Sequence, residues 1–318
     1  MINIVILDGF VANPGDLSWE GIQQYGHLKV YDRTNVEQLY ERAKEAHILI
    51  VNKSILNRAI FAQLDQLQCI CTLATGYNNI DIVAAKERGI TVCNAVGYSS
   101  PSVAQQVFAL LLELTNRVGV HNDSVQQNAW ANSIDWSYWK SPLIELSGKT
   151  MGIYGLGKIG QEVAKIALAF GMNIIATRKN KTKPTPSNIQ LVDIDQLFKE
   201  SDVLTLHAPL TTENIGIINE NNLSLMKSTA YLINTGRGGL VNELDLKNAL
   251  LTGQIAGAGL DVLSQEPPPK DHLLQNIPNC LITPHHAWAT KASRGRLIQI
   301  VADNIKGFLK GELQNVVS

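Results

Sequence analysis

The sequence predicts an α/β fold in two domains, each a parallel sheet covered by helices. Three observations lead there. Strand-length apolar runs alternate with helical patterns through most of the chain, the pattern of parallel sheets with helices on both faces. One of those strands ends in Gly155-Leu-Gly157-Lys-Ile-Gly160, the glycine spacing of a dinucleotide turn. The chain has 318 residues, more than one hydrophobic core usually serves, so it divides in two. Both halves therefore read as Rossmann-like domains.

The first half supplies strands at 2–7, 47–51, 69–73 and 90–93, with helical spacing of Leu, Ile and Ala at 36–46, 57–63 and 79–88. A complete α/β unit thus precedes the glycine-rich turn. Ser100-Pro101 then opens a long helix, with Ser at a capping position and Pro in the first turn. It carries Val103, Val107, Leu110, Leu111 and Leu114 and ends near Arg117-Val-Gly119. The stretch 130–146 reads as a loop, yet it holds Trp130, Trp136, Tyr138 and Trp139. Such aromatics suit either a loop folded onto its own domain or a subunit interface.

The second half offers strands at 151–154, 173–177, 203–206, 230–234, 255–260 and 281–283, with helices at 158–170, 194–200, 221–226 and 243–251. Lys181-Thr-Lys-Pro-Thr-Pro186 reads as a polar surface loop. A last helix, about 291–310, follows the final strand and is free to return to the first domain, making that domain discontinuous. The expected division is 1–99 with 289–318 for one domain and 100–288 for the other.

The glycines have separate tasks. Gly155 permits a tight turn, Gly157 lets a pyrophosphate approach the backbone, and Gly160 lets helix pack on strand. The following helix offers N–H groups and its positive dipole end to the phosphates. A lone glycine motif is weak, but the strand before it, the helix after it and the second strand at 173–177 complete a βαβ unit.

Composition removes several alternatives. Hydrophobic content of 45% and charged content of 17% describe an ordinary globular chain. A formal net charge of -1 gives no electrostatic case for nucleic acid or an anionic membrane. The apolar runs are strand-sized, below the ~18 residues of a membrane span. The N-terminus lacks a basic leader pattern and reads as a strand, which suits the cytoplasm. Cys69, Cys71, Cys93 and Cys280 form no CxxC pair and sit in or at strand-like runs, so buried free thiols are expected, with no metal site.

Titratable residues fall just beyond three strands, where open α/β sheets place ligands. Arg237, in Asn234-Thr-Gly-Arg-Gly238, is either a bidentate carboxylate clamp or a solvated loop arginine. Asp261 and Glu266 follow the next strand, and each alone would pass for a surface charge. His285, in Thr283-Pro-His-His-Ala-Trp288, can move a proton near neutral pH if a carboxylate orients it. An Arg, a Glu and a His at successive strand ends of one nucleotide-binding sheet argue for a shared site.

These motifs, Gly155-Leu-Gly-Lys-Ile-Gly160, Asn234-Thr-Gly-Arg-Gly238, Gly259-Leu-Asp-Val with Glu266-Pro267, and Thr283-Pro-His285, together resemble the D-isomer-specific 2-hydroxyacid dehydrogenases, in the family's order and over nearly the whole chain. Ala74-Thr-Gly-Tyr-Asn-Asn-Ile-Asp81, Gly97-Tyr-Ser-Ser-Pro-Ser-Val-Ala104 and Pro284-His-His-Ala-Trp288 resemble its glycerate dehydrogenase/hydroxypyruvate reductase branch. The resemblance implies an active site in the interdomain cleft, with His285 as acid/base, Glu266 as its partner and Arg237 as substrate anchor. It implies that backbone N–H groups of Thr75-Gly76-Tyr77 hold the substrate carboxylate. Lys53 is either an added cationic contact or a plain surface lysine. Further cofactor contacts are implied at Lys158, Ile159, His207, Pro209, Thr235 and Asp261, with His285 itself bordering the nicotinamide. A homodimer built around 101–146 is implied as well. The activity implied is NAD(P)H-dependent reduction of hydroxypyruvate, and of glyoxylate, to the D-2-hydroxy acid or glycolate.

Two features depart from the family pattern. His286 stands where an apolar residue is usual, and it is expected to pack or support His285. Arg178 stands 18 positions beyond Gly160, where an acidic residue would bind the adenosine ribose hydroxyls, and Lys179 follows it. Two cations there favour NADP(H); the alternative is that Arg178 stacks on adenine and NAD(H) binds. Two other functions stay open: a dehydrogenase for another keto acid of the D-lactate or phosphoglycerate type, and a nicotinamide-sensing binding protein. Loss of the Arg, Glu or His would have favoured the second, and all three are present.

Overall fold

The computed structural model describes residues 1–180, 182 and 184–318; Lys181 and Lys183 of the loop expected at 181–186 lie outside the described residues. Two units emerge, Met1–Ser99 with Trp288–Ser318, and Ser100–Ala287.

In the first unit, β1 (Asn3–Ile6), α1 (Glu20–Gln23), β2 (His27–Val30), α2 (Val36–Ala43), β3 (Ile48–Val51), α3 (Arg58–Phe61), β4 (Cys69–Thr72), α4 (Ile82–Glu87) and β5 (Thr91–Cys93) follow in turn. The five strands are parallel, in the order β2-β1-β3-β4-β5. Every residue of β3 and β4 is buried, as strands covered on both faces must be. Alternation along β1 sends Ile4 and Ile6 into one core layer and Val5, with Leu7 beyond it, into the other. Asn35, Asn57 and Asp81 cap α2, α3 and α4 with their side chains. Elements α1 and β2 escape the sequence reading. β2 is an edge strand with three of its four residues exposed, so it carries little apolar pattern.

The second unit opens with α5 (Ser100–Asn116) and α6 (Val118–Gln126). The first ends at Asn116, where the sequence places its end near Arg117-Val-Gly119; the second helix is not foreseen. Arg117 adopts a left-handed φ of 49°, which breaks the helix and lets a second one start at once. The sheet elements follow as β6 (Thr150–Tyr154), α7 (Lys158–Ala169), β7 (Asn173–Thr177), β8 (Gln190–Leu191), α8 (Ile194–Glu200), β9 (Val203–Leu206), α9 (Glu220–Leu225), β10 (Tyr231–Asn234), a 3-10 turn (Gly238–Leu240), α10 (Glu243–Leu251), β11 (Gly257–Leu260) and β12 (Cys280–Ile282). These seven parallel strands take the order β12-β11-β10-β9-β6-β7-β8. The order reverses between β9 and β6, the switch point at whose strand ends such sheets bind ligands. The last helix, α11 (Lys291–Lys310), belongs to the first unit, where Leu297, Val301 and Ile305 pack against Ile4, Ile6 and Ile48.

Residues 130–146 form turns and bends without helix or strand. The indole of Trp130 donates to the Trp136 carbonyl at 2.9 Å and the Tyr138 hydroxyl meets Ser124 of α6 at 2.5 Å, whereas Trp136 is 88% and Trp139 65% exposed. The four cysteines are free thiols; three are buried and Cys280 is partly so. Among the described residues, no helix is long and apolar enough to cross a membrane.

Candidate active site

The glycine turn shows how each glycine is used. Gly155 has a φ of +102°, and a Cβ there would lie 2.5 Å from the Ala208 nitrogen. Gly160 sits where a Cβ would meet the Gly155 oxygen at 2.6 Å and the Ile153 side chain at 3.0 Å, so helix and strand touch. Gly157 has nothing within 4 Å of its Cβ position and is the N-cap residue of α7. The side open to a pyrophosphate is therefore the one facing the N–H groups of Lys158, Ile159 and Gly160, which start a 12-residue helix.

Two further polar groups mark the neighbouring strand ends. His207, just past β9, takes or gives a hydrogen bond at Nε2 with Thr205 Oγ1 (2.8 Å), while its buried Nδ1 has no partner among the described residues. The buried Thr235 hydroxyl, just past β10, is in the same condition. Both atoms suit a polar ligand such as a nicotinamide nucleotide lying across these strand ends. Burial holds His207 neutral, with its pKa pushed down to about 3. Pro209 follows in an exposed loop whose carbonyl accepts from Asn214 Nδ2. Arg178 directly follows β7, and its guanidinium donates to the Thr185 hydroxyl. Lys179 is an exposed side chain 3.5 Å from Glu213.

Arg237 is held by its own strand end. Asn234 is fully buried; its amide Nδ2 donates to the Arg237 carbonyl (3.0 Å) and its Oδ1 accepts from Gly236 N–H (3.0 Å). The Asn side chain thus closes the Thr235-Gly236-Arg237 turn, and the Arg237 side chain is exposed beyond it.

His285 and Glu266 form a pair, with His285 Nδ1 2.6 Å from Glu266 Oε2. The other carboxylate oxygen of Glu266 accepts from Leu263 N–H at 3.0 Å. His285 adopts a left-handed φ of 51°, unusual for a residue with a Cβ and held by its surroundings. Its N–H donates to the Asp261 and Thr283 carbonyls, both at 2.9 Å. The Asp261 side chain is 1% exposed and accepts from Thr283 Oγ1 (2.6 Å), His286 N–H (3.1 Å) and Ala287 N–H (2.8 Å). α5 adds Ser102 Oγ, donating to the Ala287 carbonyl at 2.6 Å. Asp261, read above as a cofactor contact, is therefore seen here as the clamp of the histidine turn. His286 is corrected as well. Its side chain is exposed rather than packed, and its backbone N–H makes the contact.

In the first unit, Thr75, Gly76 and Tyr77 form the turn after β4. Thr75 Oγ1 donates to the Ala95 carbonyl (2.7 Å), and Asn94 Nδ2 donates to the Thr75 carbonyl (2.8 Å). Lys53 lies in a loop fixed by Asp8, whose carboxylate accepts from Asn52 N–H (2.6 Å), Lys53 N–H (2.6 Å) and Ser54 N–H (2.8 Å). The Lys53 side chain is exposed. Asp8 and Asn94 were not singled out in the sequence; a polar residue just past a strand end was the signal available.

A turn for a dinucleotide, an imidazole–carboxylate pair and a guanidinium thus share the strand ends of one parallel sheet. The family profile described as D-isomer specific 2-hydroxyacid dehydrogenase, NAD binding domain, matches residues 108–287. The chain belongs to the D-isomer-specific 2-hydroxyacid dehydrogenase family. It is 44% identical to hydroxypyruvate reductase from Blautia hydrogenotrophica over 321 residues, 100% of each chain. Glycerate dehydrogenase from Methylorubrum extorquens is 38% identical over 292 residues, 91% of each chain. Among solved structures, an acyclic imino acid reductase in complex with NADPH and D-Arg matches with a TM-score of 0.87 and 33% identity across 100% of both chains. The chain is thus a D-2-hydroxyacid dehydrogenase that uses a nicotinamide cofactor and acts on small 2-keto or 2-hydroxy acids.

Proposed function

We propose that the enzyme reduces hydroxypyruvate to D-glycerate, and glyoxylate to glycolate, with NADPH as the preferred reductant. The observation that carries the proposal is the His285–Glu266 pair at 2.6 Å on a turn locked by buried Asp261. Full-length similarity to a hydroxypyruvate reductase supports the choice of keto acid.

When bound, the reduced nicotinamide supplies a hydride to C2 of the keto acid. The chain's residues do the rest. Protonated His285 donates from Nε2 to the oxygen that develops negative charge, because Nδ1 is engaged by Glu266. Glu266 fixes the ring and balances the imidazolium charge. Arg237 binds the substrate carboxylate and stabilises the charge growing on the C2 oxygen. The N–H groups of Thr75, Gly76 and Tyr77 receive the same carboxylate, and Lys53 adds a cation beside them. Gly155, Gly157 and Gly160, with Lys158 and Ile159, hold the pyrophosphate. His207, Pro209 and Thr235 border the nicotinamide ribose and ring, and Asp261 holds the histidine turn.

Arg178 and Lys179 pair with the adenosine 2′-phosphate, which supports the preference for NADPH. The domain of 1–99 with 289–318 takes the substrate, and that of 100–288 the dinucleotide. The exposed tryptophans of 130–146 support a homodimer through 101–146, and the free thiols support residence in the cytoplasm.

Reduced-nicotinamide oxidation with hydroxypyruvate, run in parallel with NADPH and NADH on the wild type and Arg178→Ala, tests this reading. NADPH preference is expected in the wild type, falling by about tenfold or more in the variant with NADH little changed. An NADH preference in the wild type removes the argument from Arg178; no turnover with hydroxypyruvate or glyoxylate removes the substrate.

A further inference from the structure

The loop that carries Glu266 is itself held by a second buried carboxylate, Glu243, the first residue of α10. Glu243 is 9% exposed. Its Oε1 accepts from Ser264 N–H (2.7 Å), and its Oε2 accepts from the Ser264 hydroxyl (2.8 Å) and from His272 Nε2 (3.1 Å). His272 is also buried, and its Nδ1 accepts from Leu274 N–H at 3.3 Å, which puts the ring proton on Nε2, facing Glu243. Cys280 is the further titratable group near this carboxylate; burial and Glu243 push its thiol up to about 12, so it stays protonated.

The peptide joining Leu263 to Ser264 connects this cluster to the catalytic pair. Leu263 N–H donates to Glu266 Oε1 on one side, and Ser264 N–H donates to Glu243 on the other. The same peptide lies flat against Gly238, where a Cβ would stand 2.0 Å from the carbonyl carbon and oxygen of Leu263. Gly238 follows Arg237 directly. One dipeptide therefore spaces the Glu266 loop against the Arg237 turn, and Glu243 is the group that fixes it from the buried side.

We infer that Glu243 is a positioning residue for the acid/base pair, holding Glu266 against His285 through Ser264 and Leu263. The inference rests on the reading of Glu266 and His285 as that pair. The donors to Glu243 come from one loop, Ser264 and His272, so the carboxylate draws both ends of that loop onto the start of α10. A loosened Ser264 frees Leu263 N–H to shift, and Glu266 then meets the imidazole less well. A less well-placed carboxylate stabilises the protonated imidazole less. Reduction needs that protonated form, so its rate should begin to fall at lower pH.

The test is the pH profile of kcat for keto-acid reduction in Glu243→Gln, Glu243→Asp and Ser264→Ala, beside Glu266→Gln and the wild type, with NADPH affinity followed by fluorescence titration. In Glu243→Gln the alkaline limb should move to lower pH by about one unit and kcat near neutrality should drop about tenfold. NADPH affinity should stay within about twofold. Ser264→Ala, which keeps the backbone donor, should move the limb in the same direction by less, and Glu243→Asp should recover part of the shift. Should Glu243→Gln not fold, Ser264→Ala is read on the same axes. If the Glu243 and Ser264 variants superpose on the wild-type profile while Glu266→Gln departs from it, Glu243 is only a structural residue and the inference fails alone. If Glu266→Gln also superposes on the wild type, the acid/base reading fails and the inference falls with it.

Discussion

His285 Nδ1 stands 2.6 Å from Glu266 Oε2, with the two side chains 34% and 33% exposed. That contact engages Nδ1 and leaves Nε2 as the ring nitrogen available to a substrate. The partial exposure matters as much. A fully buried pair would be a structural ion pair with no route to a substrate, whereas this one is reachable and yet fixed from behind by Asp261. Replacing Glu266 with Gln keeps a hydrogen-bond acceptor but removes the charge. Glu266→Gln should lower kcat for keto-acid reduction by about 10²-fold. NADPH affinity should hardly change, as fluorescence titration would show. Equal loss of cofactor affinity would make Glu266 a folding residue.

Arg237 projects from a turn closed by the side chain of Asn234, so its backbone is rigid while its guanidinium is exposed. A lysine there keeps the charge and loses the planar fork. On the proposed role of the fork, which serves both the carboxylate and the developing oxyanion, Arg237→Lys should raise KM for the keto acid by about tenfold and also lower kcat. Steady-state kinetics over a range of keto-acid concentration separates the two effects. Unchanged kinetics would return Arg237 to the status of a solvated loop residue.

The glycine turn separates fold from binding. At Gly155 a methyl group would run into the Ala208 backbone at 2.5 Å, and φ is +102°. At Gly157 a methyl group meets nothing within 4 Å of protein. Gly155→Ala should therefore destabilise the protein by about 2 kcal/mol or more. Gly157→Ala should melt within a few degrees of the wild type but bind NADPH at least about tenfold more weakly. Thermal melts of the ligand-free protein, paired with cofactor titration, check both.

His207 gives a stability prediction with a defined sign. Its pKa in the folded protein is about 3, well below its ordinary value, because burial disfavours the charged ring. The unfolded chain takes up a proton near pH ~6.5 and the folded chain does not. Stability from the neutral ring is thus fully present above that pH and is lost as pH falls through the window towards 3. The slope from this one group is about 1.4 kcal/mol per pH unit. His207→Gln should flatten the fall in melting temperature between pH ~7.5 and ~5.5 relative to the wild type. Parallel curves would mean that His207 protonates in place.

Much of the fold is legible in the residues, and the reasons differ by element. β3 and β4 are apolar at nearly every position because helices cover both faces, so their runs stand out. β2 and β8 are edge strands with exposed residues, and neither carries that signal. The end of α5 is legible at Arg117-Val-Gly119, but α6 is not, because a single left-handed Arg117 rather than a loop joins the two helices. At the site, the glycines and the order of Arg237, Glu266 and His285 are readable because they follow strand ends. The supports are not. Glu243 meets Ser264 and His272 from 21 and 29 residues away in the chain. Asp261 looks like any acid after a strand until its buried carboxylate is seen to clamp the histidine turn through two backbone N–H groups and a threonine hydroxyl. Such partnerships depend on how loops fold back, which spacing does not encode.

The central claim is hydride transfer to C2 of a keto acid, with stereochemistry set by the chain. The most direct measurement supplies NADPH carrying two deuterium atoms at C4 of the nicotinamide, together with hydroxypyruvate, and analyses the product by chiral chromatography and mass spectrometry. D-glycerate carrying deuterium at C2 is the predicted result. L-glycerate, product without the label, or no product with either NADPH or NADH would contradict it.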